Sequence, residues 1–226
     1  MNILAIETST QACSAALLYH GQIVHRFQIA PRAHGDLILS MANELLLEAD
    51  LGPTQLTAVA FGRGPGAFTG VRIATAVAQG IAFAADLPVV PVSTLAALAQ
   101  AGYRHSGYQA MLCAMDARMG EVYWGAYQVN QGMVSLLADE LVCPPGAVPQ
   151  PRDNDWHGIG NGWTVFAQEL QARVPLKIEE KDTVLLPRAE EVAMLAQHAV
   201  INGQMVAPEQ ALPVYLRDDV AEKTKK

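Results

Sequence analysis

Two stretches of this chain, about a hundred residues apart, follow one plan, and a repeat of that kind limits the fold more than any other feature. Ile3-Leu-Ala-Ile-Glu7 reads as a strand ending on an acid, Thr8 to Gln11 as a polar turn, and Ala12 to Tyr19 as a second strand. After the tight turn His20-Gly21, Gln22 to Ile29 reads as a third. Ala110 to Asp116 is again a strand ending on an acid, followed by the turn Ala117 to Gly120 and a strand from Glu121 to Val129. The turn Asn130-Gln-Gly132 then leads into Met133 to Leu137. Two three-strand meanders, each headed by an acid-ended strand, predict two structurally duplicated lobes.

Between the meanders the pattern alternates: helix over about 34–50, strand over 57–61, helix over 69–86, short strand over 88–90 and helix over 93–102. Strands alternating with helices after a meander make a mixed sheet covered by helices, so the class is α/β. Beyond the second meander, 143–155 carries four prolines and reads as a loop. A short strand near 157–159, a helix beginning around Trp163 and a last helix over 188–202 follow. The chain therefore divides into an N-terminal lobe, 1–107, and a C-terminal lobe, 108–226, with the terminal helix a candidate to pack back on the first lobe.

The segment Gly62-Arg-Gly-Pro-Gly-Ala-Phe-Thr-Gly-Val-Arg72 joins a buried-type strand to an alanine-rich helix, with four glycines and a proline in its first nine residues. Gly64 and Gly66 can take positive φ without a Cβ penalty, Pro65 fixes the turn between them, and Thr69 is placed to cap the helix that Gly70 enters. Such a loop can present backbone N–H groups to an anion or to another chain, or it can be a structural strand-to-helix turn. Both readings stand at this point.

The helices on either side of the loop carry more apolar surface than one sheet needs. At about 100° per residue, Leu37, Ile38, Met41, Leu45 and their apolar neighbours sweep an arc of about 200° on the first helix, whose N-terminal residue is His34. The second helix has only Arg72, Thr75 and Gln79 as a polar stripe, flanked by Ala76 and Phe83, and is otherwise made mostly of small residues. These residues are the candidates for a protein-binding face; the alternative is burial against the second lobe.

Candidate chemistry is sparse. Glu7, Thr8, Ser9 and Thr10 place an acid and three hydroxyls at the first hairpin, with Asp116 and Arg118 at the corresponding place in the second lobe. In a phosphotransferase, phosphate and a hydrated cation would meet there. Neither turn has the glycine content of a phosphate cradle, and polar hairpin turns are the plain reading. None of the six histidines is followed by another three or four residues on, and Ile38 stands one turn after His34. No His-Glu-x-x-His, Gly-x-Ser-x-Gly or Walker loop occurs. A net charge of −7 argues against a self-sufficient nucleic-acid binder, since only the tail Lys223 to Lys226 is basic. Three cysteines without metal or redox spacing read as reduced thiols, Cys13 as a core thiol. With no leader-like or membrane-spanning segment, this predicts a cytoplasmic protein.

Ile3 to Thr10, Gly62 to Arg72, Asp116-Ala-Arg-Met-Gly-Glu-Val-Tyr-Trp124 and Pro213-Val-Tyr-Leu-Arg217 together resemble the bacterial TsaB (YeaZ) family over essentially the whole chain. The resemblance implies the two-lobed fold of acetate and sugar kinases, Hsp70 and actin (ASKHA). It further implies a non-catalytic part in making threonylcarbamoyladenosine next to the anticodon of tRNAs that read codons beginning with A. In that family the paralogue TsaD transfers the threonylcarbamoyl group and the ATPase TsaE joins both, so ATP and metal are expected on the partners. TsaD holds metal through a histidine pair on a helix; here His34 would be one member and Ile38 marks the missing one. Ala67 stands where the family pattern has serine, so any hydroxyl contact there is lost. The first-lobe helix pair is implied to pack on the matching pair of TsaD, or on a second copy, with tRNA met only indirectly. Two alternatives share the fold or the family's history: a glycoprotease-type peptidase and an ATP-dependent small-molecule kinase.

Overall fold

The computed structural model describes residues 1–151, 155–176 and 178–217; the basic tail 223–226 lies outside them. The first meander forms over the expected ranges as β1 (Ile3–Glu7), β2 (Ala12–Tyr19) and β3 (Gln22–Ile29), followed by α1 (His34–Glu48), β4 (Ala58–Gly62), α2 (Phe68–Ala84) and β5 (Val89–Val92). The sheet order is β3-β2-β1-β4-β5, antiparallel through the meander and parallel from β1 to β4 to β5. The second sheet repeats the plan with β6 (Ala110–Asp116), β7 (Val122–Asn130) and β8 (Met133–Leu136), and β10 (His157–Ile159) adds in parallel beside β6. Each acid-ended strand thus sits between its meander partner and a parallel strand. One strand that the sequence pattern leaves unassigned is β9 (Leu141–Cys143), just ahead of the 143–155 loop, which pairs with Val122–Trp124, the half of β7 that β8 does not reach.

Strand alternation explains why β1 is buried on both faces. Leu4 and Ile6 join Leu17, Val59 and Phe61 under α1 and α2. Ile3 and Ala5 join Ala16, Ala58 and Ala60 on the opposite face, where α7 (Ala189–Ile201) packs through Ala189, Val192, Ala193 and Ala196. Small residues on both sides let this helix approach closely. Residues 189–201 therefore return to the first sheet, and the chain does not split cleanly at residue 107.

Between the sheets lies α3 (Thr94–Ser106), whose N-cap Ser93 accepts from Ala96 N at 3.2 Å and whose C-cap Gly107 takes φ +74°. Its Leu95, Leu98 and Ala99 pack on Met111, Cys113 and Tyr127 of the second sheet, while Ala97 belongs to the first-lobe cluster. On the second sheet's other face, α4 (Gly162–Val165) and α5 (Ala167–Arg173) cover Leu112, Ala114 and Trp124; the Trp163 indole donates to Leu112 O at 2.9 Å. The short α6 (Glu180–Thr183) closes this side. The result is an α/β, two-lobed, ASKHA-like architecture.

The wide apolar arc of α1 is mostly consumed by its own sheet. Ile38 and Leu45 are fully buried and Met41 nearly so, all in one cluster with Leu4, Leu17 and Phe61. Leu45→Ala is therefore expected to lower unfolding free energy by about 2–5 kcal/mol. Leu47→Ala, on the outer face, should stay within about 0.5 kcal/mol. Urea unfolding midpoints of the two variants check the contrast.

Candidate functional site

The β1–β2 turn is built inward. Glu7, Thr8 and Ser9 are buried, and Glu7 Oε1 accepts from its neighbour Ser9 N at 2.6 Å. The Thr94 hydroxyl lies 3.4 Å from Glu7 Oε2 and 3.2 Å from Ser9 Oγ, while Thr8 Oγ1 donates to Gly70 O at 2.7 Å. Ala67 N donates to Ser9 O at 2.7 Å. The loop glycines make room for this turn. A Cβ on Gly66 would stand 2.6 Å from Ser9 O, one on Gly70 would strike Thr8 O, and one on Gly62 would strike the Glu7 carboxyl.

Several loop expectations are corrected accordingly. Gly64 does take φ +97°, next to the cis bond to Pro65, but Gly66 has no positive φ and is needed for close approach alone. Thr69 is not the cap: α2 starts at Phe68 from Ala67, with no side-chain cap. Glu7, Thr8 and Ser9, read from the sequence as polar turn residues of a vestigial phosphate cleft, are turned inward. Their polar atoms are spent on each other and on the loop, and burial pushes the Glu7 carboxyl above its usual range, with no cation among its partners.

A cavity of about 940 Å³ nevertheless separates the lobes, walled by Thr10, Thr69, Asp116, Arg118 and Asn161 among others. The duplicated turns do face one another across it. Arg118 Nη1 and Asp116 Oδ2 pair at 2.8 Å, Asp116 Oδ1 accepts from Arg118 N at 2.8 Å, and Asp116 N donates to Asn161 Oδ1 at 3.1 Å. Asp116 and Arg118 thus neutralise one another, while Arg32 and Glu180 also line the cavity. His34 also lines the cavity, with Nε2 buried and unpartnered, and Ile38 one turn on is core. Among the described residues no group of three His, Cys, Asp or Glu side chains could hold a metal. Cys13 is buried in the first-lobe core, where desolvation pushes its thiol up to about 11.

The helix face also needs correction. Ile38, Met41, Leu45 and Thr75 are buried within the lobe and His34 faces the interlobe cavity, so none of the five stands on the outer helix face; Thr75 Oγ1 bonds back to Val71 O at 2.9 Å. Gln79 donates to Pro208 O and Ala211 O at 3.1 and 3.0 Å, and exposed Arg72 donates to Tyr215 Oη at 2.8 Å, so the polar stripe serves the chain's own C-terminal segment. Leu37 is half-buried, leaving Ala76 and Phe83 of the expected set fully outward. Phe83 is 78% exposed. With Ala76, Gly80 and Ala84 it forms an open stripe on α2, and Leu39 and Leu47 project from α1. Leu39 belongs to the apolar arc read from the sequence and Gly80 and Ala84 to the small residues of the second helix, whereas periodicity puts Leu47 on the polar face of the first. No described helix is long and apolar enough to cross a membrane.

Comparison with known proteins gives consistent matches. The family model "TsaD: tRNA N6-adenosine threonylcarbamoyltransferase" matches residues 26–225. The Escherichia coli K12 protein described as tRNA threonylcarbamoyladenosine biosynthesis protein TsaB is 42% identical, over 99% of this chain and 97% of that protein. The Haemophilus influenzae protein of the same description is 36% identical, over 99% and 96%. The solved structure of YeaZ from Pseudomonas aeruginosa superposes with a TM-score of 0.88 at 47% identity, covering 95% of this chain and 99% of that one.

The buried Glu7 carboxyl has a pH signature. Its folded pKa is raised, so between 4.5 and that higher value the folded state holds a proton that the unfolded state has released. Stability from this group falls as pH rises through that window. Glu7→Gln keeps the acceptor to Ser9 N and removes the titration. Its stability relative to the parent should therefore increase as pH rises above about 4.5, measured by denaturant unfolding across pH.

Proposed function

The chain belongs to the TsaB family of tRNA threonylcarbamoyladenosine biosynthesis proteins, and we propose that it acts there as a non-catalytic, activating subunit. It binds the transferase paralogue TsaD through α1 and α2 and, with it, the ATPase TsaE. Its contribution is required for threonylcarbamoyl transfer to the adenosine beside the anticodon in tRNAs reading codons that begin with A. The observation that carries this reading is the uncovered stripe Ala76, Gly80, Phe83 and Ala84, with Leu39 and Leu47 on the neighbouring helix.

Small outward residues allow a second helix pair to approach at short distance, and Phe83 supplies an apolar anchor beside them. Association gives the partner a differential contact between its states, which is what an activating subunit must provide. The inward-turned Glu7, Thr8 and Ser9 favour chemistry on the partner and leave ATP and metal there. The net charge of −7 favours indirect contact with tRNA. The same face serves a homodimer when the paralogue is absent, and the whole assembly works in the cytoplasm.

The test is tRNA modification reconstituted from purified paralogue, ATPase, ATP, threonine-derived adenylate and tRNA, with this chain included or omitted. Modification that proceeds equally without the chain refutes the proposal. At the residue level, Ala76→Glu is expected to weaken association with the paralogue about tenfold or more, read by titration calorimetry. Its own unfolding free energy should change by no more than about 0.5 kcal/mol, because Ala76 faces outward.

A further inference from the structure

The segment after α7 is not a loose tail. Val206 and Val89 exchange two backbone hydrogen bonds of 2.9 Å at the open edge of β5, and Ala211 is fully buried in the core beneath α1 and α2. Gln79 on α2 holds the carbonyls of Pro208 and Ala211. Val214 N donates to Arg63 O at 2.8 Å, and Gly64 is bare where a Cβ would stand 2.8 Å from Val214 O. The Tyr215 ring lies 5.6 Å from that of Phe68, with the Arg72 guanidinium 3.7 Å above the latter. The polar stripe of α2 and the glycine loop are thus a track for 205–217.

At its end the segment leaves the first lobe. Arg217 Nη2 and Nε reach Glu121 Oε2 at 2.5 and 3.1 Å, and Nη2 also donates to Ala117 O and Arg118 O at 3.3 and 3.4 Å. Ala117 and Arg118 wall the interlobe cavity, as do Gly66 and Ala67 on the loop that Val214 flanks. Elsewhere the lobes are joined by the 184–188 connection into α7 and through α3, which packs against both sheets and whose Gln100 holds Gly132 O and Val134 N of the second-lobe hairpin. A fork of donors satisfied at once by a carboxylate and two carbonyls fixes position as well as charge.

We propose that residues 205–217 are a latch that sets the opening of the interlobe cleft, with α3 as the hinge side and Arg217 as the bolt. The latch is independent of what covers the outer stripe of α2, so its test needs no partner.

Spin labels placed on exposed Asn43→Cys of α1 and Gln168→Cys of α5, in a Cys143→Ser background, report the distance between lobes in the full chain. A single narrow distribution is expected with Arg217 present. Arg217→Ala and Glu121→Gln each broaden it toward longer distances. Arg26→Ala removes ion pairs with Glu44 and Glu48 inside the first lobe and leaves the distribution unchanged. Far-UV circular dichroism verifies folding, and if Arg217→Ala fails to fold, Glu121→Gln decides alone. The proposal is overturned if both latch variants superimpose on the parent, or if Arg26→Ala broadens the distribution equally.

Discussion

The contact on which the rest of this molecule depends is backbone against backbone: the β1–β2 turn pressed into the glycines of the β4–α2 loop. Ala67 N to Ser9 O and Thr8 Oγ1 to Gly70 O tie the two together, and no side chain at 66 or 70 could be admitted. This contact fixes where α2 begins, because the residue that caps the helix is already held by Ser9. It also decides the chemistry available at the cleft. A turn whose hydroxyls and carboxylate are consumed by its own loop has little left to offer a phosphate. The glycines that permit an anion cradle in some strand-to-helix loops here permit the opposite, the filling of that space by protein.

Around that contact the two lobes share helices more than they share a boundary. Alanine on both partners lets α7 come close to the first sheet, and it belongs to that lobe although it follows the second in sequence. α3 contributes leucines to one sheet and an alanine to the other, so a single element transmits position between them. Neither arrangement leaves the lobes free to be treated as independent folding units. Substitutions in α3 are felt on both sides.

Local signals carried most of the fold. The six meander strands were legible because acid-ended apolar runs, tight turns and glycines sit within a few residues of each other, and β10 was found from the same kind of pattern. What failed was set by contacts distant in sequence. Thr69 satisfies the composition of a cap, yet the cap is Ala67, two residues earlier, held by Ser9. Helical periodicity gave α1 its apolar arc but could not show that Ile38, Met41 and Leu45 would all find cover under one sheet. The polar stripe Arg72, Thr75 and Gln79 read as an outward feature because its occupants, Pro208, Ala211 and Tyr215, lie more than a hundred residues away. Of the candidate face only Arg72, Ala76 and Phe83 are exposed, with Leu37 half-covered, and exposure draws its outline differently.

Gly80 gives that redrawn face its physical meaning. Glycine inside a helix costs about 0.5–1 kcal/mol relative to alanine. Elsewhere in this chain the expense has a visible return: Gly62, Gly66 and Gly70 each stand where a Cβ would collide with the β1–β2 turn. A Cβ on Gly80 would meet nothing within 4 Å, and the residue lies on the open side of α2 between Ala76 and Ala84. No contact among the described residues accounts for it. In the proposed assembly a close approach from outside does, and the length of the stripe, two helical turns from Ala76 to Ala84 with Phe83 beside its end, suits another helix better than a loop tip. Under the proposed function, a β1–β2 turn closed on its own loop and a helix left bare outward are two sides of one design, in which the fold serves for the surface it presents.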